Sequence, residues 1–428
     1  MNQRSTFCHI TIQNDELQGG MCVRPIGPLS GMRVLDLSTM LVGPYTTQIL
    51  ADLGADVIKV ESAAGDPMRH VGPMRNPGMG GIFLTANRGK RSLVLDLKAK
   101  GAAAVILRMS EQCDVFVHNM RSRAAKRLGI EYERVRQVNP RIIYCGITGY
   151  GEGGPYAGRP AYDDTIQAAA GMAYLESFVA GEPRYSPSDI ADKVSGLYAA
   201  IGILAALTER ERSGQGHKVS TPMFESMAAF VLMEHLYAAA FQPPLSPPYY
   251  ERTVSKERRP YPTKDGFISV AIYTDRHWSR FFEVVGRRDL AVDPRFCDLS
   301  ARSKHYDELY ALITGYFASK TTREWLDIFA DEDVPAMPVN STEDLLRDPH
   351  LQAVRFFESI DHPTEGAVLR VGNPIHIDPY DGGSSELADG LGASGEEVLA
   401  ELGWSAESIA ELLSSGVVKL PRHSAQER

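Results

Sequence analysis

Residues 31–61, GMRVLDLSTMLVGPYTTQILADLGADVIKVE, decide the fold class of this chain. The apolar run Val34-Leu35-Asp36-Leu37 has the composition of a buried parallel strand. Gly43-Pro44 interrupts it, and Ile49, Leu50 and Leu53 then recur at helical spacing, with Gly54 where a helix would stop. A second apolar run, Val57-Ile58-Lys59-Val60, ends at Glu61. The stretch therefore predicts strand, helix and strand, with a ligand expected at the carboxyl ends of the strands. It lacks the G-x-G-x-x-G phosphate fingerprint, which argues against an ordinary dinucleotide site and a nicotinamide dehydrogenase.

Outward from this unit, Ser92–Leu97, Val115–Val117 and Ile142–Cys145 are further strand candidates separated by helical stretches. That alternation predicts an α/β fold around a parallel sheet. Residues 193–240 predict two long buried helices around the Gly214-Gln215-Gly216 turn and a short strand. Residues 242–262, QPPLSPPYYERTVSKERRPYP, have the composition of a linker. A strand at 267–271 and amphipathic helices near 277–286, 305–318 and 322–331 predict a smaller α+β unit. The expected organisation is a flexible extension over 1–26 and a large α/β domain over 27–225. A helix and Pro-rich linker over 226–262, a small domain over 263–345 and a return segment over 346–428 complete it.

With 428 residues, 43% of them hydrophobic, the chain has the length of two or three domains. A net charge of -9 argues against a nucleic-acid or membrane-surface role. The five cysteines, Cys8, Cys22, Cys113, Cys145 and Cys297, are scattered without a C-x-x-C pair, so neither a zinc site nor a disulfide framework is expected. No uncharged apolar stretch approaches the ~18 residues of a membrane span, and residues 1–26 carry no signal-like pattern. The expectation is a soluble, cytoplasmic protein.

Several ordered blocks then carry a family resemblance. VLDLSTMLVGPYTTQILADLGADVIKVE, NRGKRSLVLDL (87–97), DVFVHNM (114–120), NPRIIYCGITGYGEGGP (139–155), SDIADKVSG (188–196) and VPAMPVNSTEDLLRDPHL (334–351) resemble the family III CoA-transferases. Roughly residues 28–420 are covered. The resemblance implies a large Rossmann-like domain and a smaller one, joined by long linkers into a ring, with two rings interlocked in a homodimer. It implies an acyl-CoA and a carboxylic acid as substrates, coenzyme A thioester entering as substrate, and no permanently bound cofactor or metal.

Asp192, in Ile190-Ala191-Asp192-Lys193-Val194-Ser195-Gly196, stands where the resemblance places a nucleophilic aspartate. A carboxylate, ordinarily ionised at neutral pH, can attack a thioester to form a mixed anhydride and then hold CoA as an aspartyl thioester. On spacing alone, an Asp at a helix start equally suits a cap. Tyr162 and Asp163 are implied to line the acyl pocket. Related 2-methylacyl-CoA racemases carry a His where this chain has Tyr162. A phenol is a poor base for proton abstraction, so transfer is favoured over racemisation. A catalytically silent CoA-binding protein is the alternative of another class.

The resemblance carries CoA contacts to Leu41, Val42, Leu95, Lys98, Asn119, Met120, Arg121 and Arg127, the last as a phosphate-pairing guanidinium. Asn87-Arg88-Gly89-Lys90-Arg91 is a basic turn that could also meet phosphates. Three departures from the family pattern stand out. Ser62 replaces a nucleotide-contacting arginine, GASGEEVL lacks an acidic-His pattern, and SKERRPYPTKDG replaces the glycine run of oxalate-specific members. The last departure argues against oxalate or formate, and the resemblance implies a dicarboxylate acceptor with succinyl-CoA as donor, with Arg258, Arg259, Arg276 and His277 as candidate cations for a distal carboxylate.

Overall fold

Side chains alternate between two cores along the central strands. Leu35 and Phe116 enter one apolar cluster, while Val34, Val115 and Val117 enter the other. That alternation is what the pleat requires of strands covered on both faces. The computed structural model describes residues 27–380 and 387–420. The expected extension over 1–26 lies outside them.

The strands are β1 (Arg33–Asp36), β2 (Asp56–Glu61), β3 (Lys90–Leu95), β4 (Val115–His118), β5 (Ile143–Thr148), β6 (Lys218–Pro222), β7 (Tyr261–Pro262), β8 (Phe267–Val270), β9 (Ala336–Pro338), β10 (Phe357–His362), β11 (Gly366–Val371) and β12 (Val418–Lys419). The large sheet has the order β12-β3-β2-β1-β4-β5-β6. All neighbours are parallel except β12, which returns antiparallel onto the edge of β3. The order 3-2-1-4-5-6 is that of a doubly wound fold, and it reverses between β1 and β4. A crevice at the carboxyl ends of those two strands is the position that binds ligands in such sheets.

One face is covered by Ala102–Ser110, Gly395–Glu401 and Ala406–Ser414, the other by Val42–Asp52, Ile190–Ser213 and Met223–His235. Gly54 follows the Val42–Asp52 helix at φ 98°, a left-handed geometry that ends the helix at little cost to glycine. A third, aromatic-rich core within 261–334 gathers Trp278, Phe281, Phe282, Phe317, Trp325 and Phe329 beside the sheet β7-β8-β9. β10 and β11 form a separate antiparallel pair.

The two helices expected to be buried are covered on one side only. Leu197, Ile201, Phe230 and Met233 lie exposed, Met233 by 82%. Periodicity is weak there because both faces are apolar, so the sequence does not distinguish a fully buried helix from one with an open apolar face. The Ile190–Ser213 helix is long and apolar enough, by length and composition, to cross a membrane. It packs instead on the Val42–Asp52 helix, β5 and β6, as a core helix does. The Pro-rich segment is also anchored: the rings of Tyr249 and Phe178 lie 5.0 Å apart, and the Tyr250 N–H donates to His235 Nδ1 at 3.2 Å.

Candidate active site

Asp192 lies in the first turn of the Ile190–Ser213 helix, and Asp189 is the capping residue. The Asp192 side chain therefore makes no cap. Its backbone N–H donates to Asp163 Oδ1 at 2.9 Å. Asp163 opens the Asp163–Ala169 helix, and its Oδ2 accepts from Gln167 Nε2 at 2.5 Å. Gln167 in turn takes the Ser186 N–H on its Oε1 at 2.9 Å, which fastens the segment leading to Asp192. Gly196, one turn further on, meets the helix Val42–Asp52. A Cβ there would lie 3.0 Å from the Val42 carbonyl oxygen, and Thr46 Oγ1 donates to the Gly196 carbonyl at 3.2 Å. The close approach that glycine allows sets the Asp192 turn against the start of the helix following β1.

Among the described residues, the Asp192 carboxylate accepts no hydrogen bond. Burial, then the charge of Asp163, then that of Asp189 push its pKa up to about 7, against a smaller opposing pull from Lys193. The sequence expectation of an ordinary, fully ionised aspartate is corrected on this point. A carboxylate this basic is a better nucleophile than an exposed one, and it sits where functional carboxylates are characteristically perturbed.

The loop between β1 and the Val42–Asp52 helix is held from four sides. Asp36 accepts from the Ser38 N–H at 2.8 Å, from Thr47 Oγ1 at 2.5 Å and from Lys90 Nζ at 3.1 Å. Lys90 also donates to the Pro44 carbonyl and to Asn87 Oδ1, both at 2.9 Å. Lys59 donates to the Ser38 carbonyl at 3.0 Å and to Asp66 at 2.9 Å, and the other Asp66 oxygen takes the Met40 N–H at 3.1 Å. Just beyond β4, Asn119 accepts from the Thr39 N–H at 3.1 Å and donates to the Thr39 carbonyl at 2.7 Å. Met40 is held at φ 70°, a left-handed conformation that costs a non-glycine residue and persists only where its surroundings impose it.

The sequence-singled CoA residues divide into three groups. Arg121 and Arg127 share a cavity of about 680 Å³ with Arg123, Arg159, Tyr150 and Glu152. Leu41, Val42 and Asn119 lie at the β1–β4 crevice, but the Asn119 amide is spent on Thr39 and Val42 is buried. Leu95 is fully buried at the last position of β3 beside Val418, Met120 packs on the core, and Lys98 lies exposed beyond that strand. The Leu95 side chain is thus a wall rather than a surface contact. Tyr162 is 66% exposed beside the Asp163 helix.

Among the described residues, each cation of the basic stretch 87–91 is paired with a carboxylate. Arg88 is paired with Asp52 at 2.6 Å, Lys90 with Asp36, and Arg91 with Asp56 at 2.7 Å and Glu401 at 2.9 Å. Sequence reasoning missed Arg123 and Arg159, which no local motif marks. It also missed that Lys90, singled out only in the basic turn, joins a buried set with Asp36, Lys59 and Asp66, whose members are separated by up to 54 positions.

The CoA-transferase family III model matches residues 29–393. The chain is 33% identical to the succinate–glutarate CoA-transferase of Agrobacterium fabrum, over 88% of this chain and 96% of that one. It is 33% identical to the succinyl-CoA:mesaconate CoA-transferase of Haloarcula hispanica, over 85% and 94%. The crystal structure of Rv3272 from Mycobacterium tuberculosis superposes with a TM-score of 0.77 at 28% identity, covering 87% of this chain and 99% of that one. This chain therefore belongs to CoA-transferase family III and is an enzyme that moves CoA between an acyl-CoA and a carboxylic acid.

Proposed function

We propose that the chain transfers CoA from a short acyl-CoA, succinyl-CoA or a similar thioester, to a dicarboxylic acid through covalent intermediates on Asp192. The observation that carries this reading is the Asp192 carboxylate itself: basic, without hydrogen-bond donors among the described residues, and seated at the start of a helix pinned to Asp163 and Val42. An oxygen of ionised Asp192 attacks the thioester carbonyl. The C–S bond breaks, CoA leaves as thiolate, and a mixed anhydride remains. The thiolate attacks the aspartyl carbonyl, expelling the donor acid as its carboxylate and leaving aspartyl-CoA. The acceptor carboxylate then attacks that carbonyl, releasing thiolate and forming a second anhydride. Attack of thiolate on the acceptor's acyl carbon gives the new thioester and restores Asp192. No net proton is consumed.

The arginine-lined cavity of Arg121, Arg123, Arg127 and Arg159 supplies guanidinium forks suited to the phosphates of CoA. Tyr162 and Asp163 flank the acyl end. We further assign a homodimer, supported by the open apolar face of the two long helices. A cytoplasmic location is supported by the free thiols Cys113, Cys145 and Cys297.

Intact-mass analysis after incubation with succinyl-CoA, with and without hydroxylamine, tests the mechanism. The expected result is a hydroxylamine-labile CoA adduct on the peptide containing Asp192, absent in Asp192→Ala, which retains binding of free CoA. Full transfer activity in Asp192→Ala, or solvent deuterium entering the α-carbon of a 2-methylacyl-CoA without an adduct, refutes it.

A further inference from the structure

Gln167 is 1% exposed, yet both ends of its amide are engaged. The Ser186 N–H donates to Oε1 at 2.9 Å, which fixes the orientation of the amide, because a backbone N–H can only donate. Nε2 then donates to Asp163 Oδ2 at 2.5 Å and to the Ser188 carbonyl at 3.3 Å. A buried amide is costly unless its donors and acceptor are satisfied, and a satisfied one is held in a single place. Gln167 stands one turn after Asp163 on the same helix, so the amide and the carboxylate share a face.

These bonds reach the neighbours that set the charge around Asp192. The charged groups bearing on its carboxylate are Asp163, from the Asp163–Ala169 helix, and Asp189 and Lys193, from its own. Asp163 is gripped at both oxygens: Oδ1 takes the Asp192 N–H and Oδ2 takes Gln167. The Ser188 carbonyl accepts from Gln167 and from the Ile190 N–H, the latter at 2.6 Å, and the Ser188 hydroxyl accepts from Lys193 Nζ at 2.6 Å. One buried side chain therefore holds the anion that makes Asp192 basic and the segment that anchors the cation opposing it. Among the described residues, no hydrogen bond joins Gln167 to Asp192 itself, so any effect on the reaction passes through these partners.

We propose that Gln167 is a positioning residue for CoA transfer, fixing Asp163 and the Ser186–Ser188 segment so that Asp192 meets the thioester in one orientation and one electrostatic setting. The assignment rests on the transferase reading above and deepens it.

Gln167→Met keeps the bulk of the side chain and removes both halves of the amide. At saturating succinyl-CoA, single-turnover formation of the Asp192 adduct is expected to slow about tenfold or more, with the affinity for free CoA unchanged by calorimetry. In an Asp163→Asn background the same substitution is expected to cost less than about threefold, because the two residues act through one shared hydrogen bond. Carbodiimide labelling of the Asp192 peptide consumes the protonated carboxyl and needs no substrate. Its pH midpoint is expected to move to lower pH in Gln167→Met, because the charge of Asp163 is no longer held beside Asp192. A midpoint left in place, an equal cost in both backgrounds, or a loss confined to CoA affinity overturns the proposal. Circular dichroism checks the fold. Where Gln167→Met does not fold, Gln167→Asn, whose amide is too short to span Asp163 and Ser186, decides by the same readouts. Absence of an Asp192 adduct in the unaltered chain counts against the transferase reading instead, and the carbodiimide midpoint then decides whether Gln167 sets the surroundings of Asp192.

Discussion

At the scale of single residues, the proposed chemistry turns on what surrounds Asp192. Its pKa stands near 7 because burial disfavours the ion and because the charges of Asp163 and Asp189 add to that cost. The reactive form is the ion, so the sign is fixed: adduct formation falls as pH drops below about 7. Asp163→Asn removes one negative neighbour while its side-chain oxygen can still accept the Asp192 N–H. The acid limb of the pH–rate profile for adduct formation should therefore move to lower pH. A limb unmoved in this variant would mean that Asp163 does not set the basicity of Asp192. Asp192 itself was legible from the SDIADKVSG block. Its contact with Asp163, 29 positions away, was not, because nothing local in the chain brings the two carboxylates together.

At the scale of elements, the β1 loop depends on a lysine that composition alone marks as surface. Lys90 opens β3, is buried, and ties Asp36 to Pro44 across the sheet. Burial opposes the charge of Asp36, but Lys90, Lys59 and two hydroxyl donors outweigh it and lower its pKa to about 2. The folded value lies below the ordinary aspartate value of 3.8, so this contribution is complete above that pH and fades as pH falls toward 2. Lys90→Met leaves the Asp36 carboxylate buried without its ammonium partner and should cost about 3–5 kcal/mol. Chemical denaturation at neutral pH measures this, and a loss below about 1 kcal/mol would show that the pair is dispensable. The stretch 87–91 was legible as basic, but the turn ends at Gly89 and Lys90 and Arg91 already belong to β3. Its partners Asp52, Asp36, Asp56 and Glu401 were not, because ion pairs of this separation form only when the sheet has assembled.

At the scale of the whole molecule, the open apolar side of the Ile190–Ser213 and Met223–His235 helices is the feature a single chain leaves unexplained. Leu197, Ile201, Phe230 and Met233 are exposed on two adjacent core helices, and this face is the observation behind the proposed homodimer. Sedimentation velocity at micromolar concentration should give a dimer. The double variant Ile201→Glu, Met233→Glu should shift it toward monomer while preserving the far-ultraviolet circular dichroism. A monomer in the unaltered protein would remove the homodimer from the reading.

The sequence by itself determined the α/β class, the first strand–helix–strand unit and the α-helices of the aromatic unit, and it singled out Asp192 as the candidate nucleophile. Each rests on local periodicity or on an ordered run of residues, and such information survives in one dimension. Only the tertiary structure decided the basicity of Asp192, the pairing of the cations in 87–91, the burial of Leu95 and the gathering of Arg121, Arg123, Arg127 and Arg159 around one cavity. Desolvation and charge pairing depend on distances between residues far apart in the chain, and those distances exist only after the sheet and its covering helices have packed.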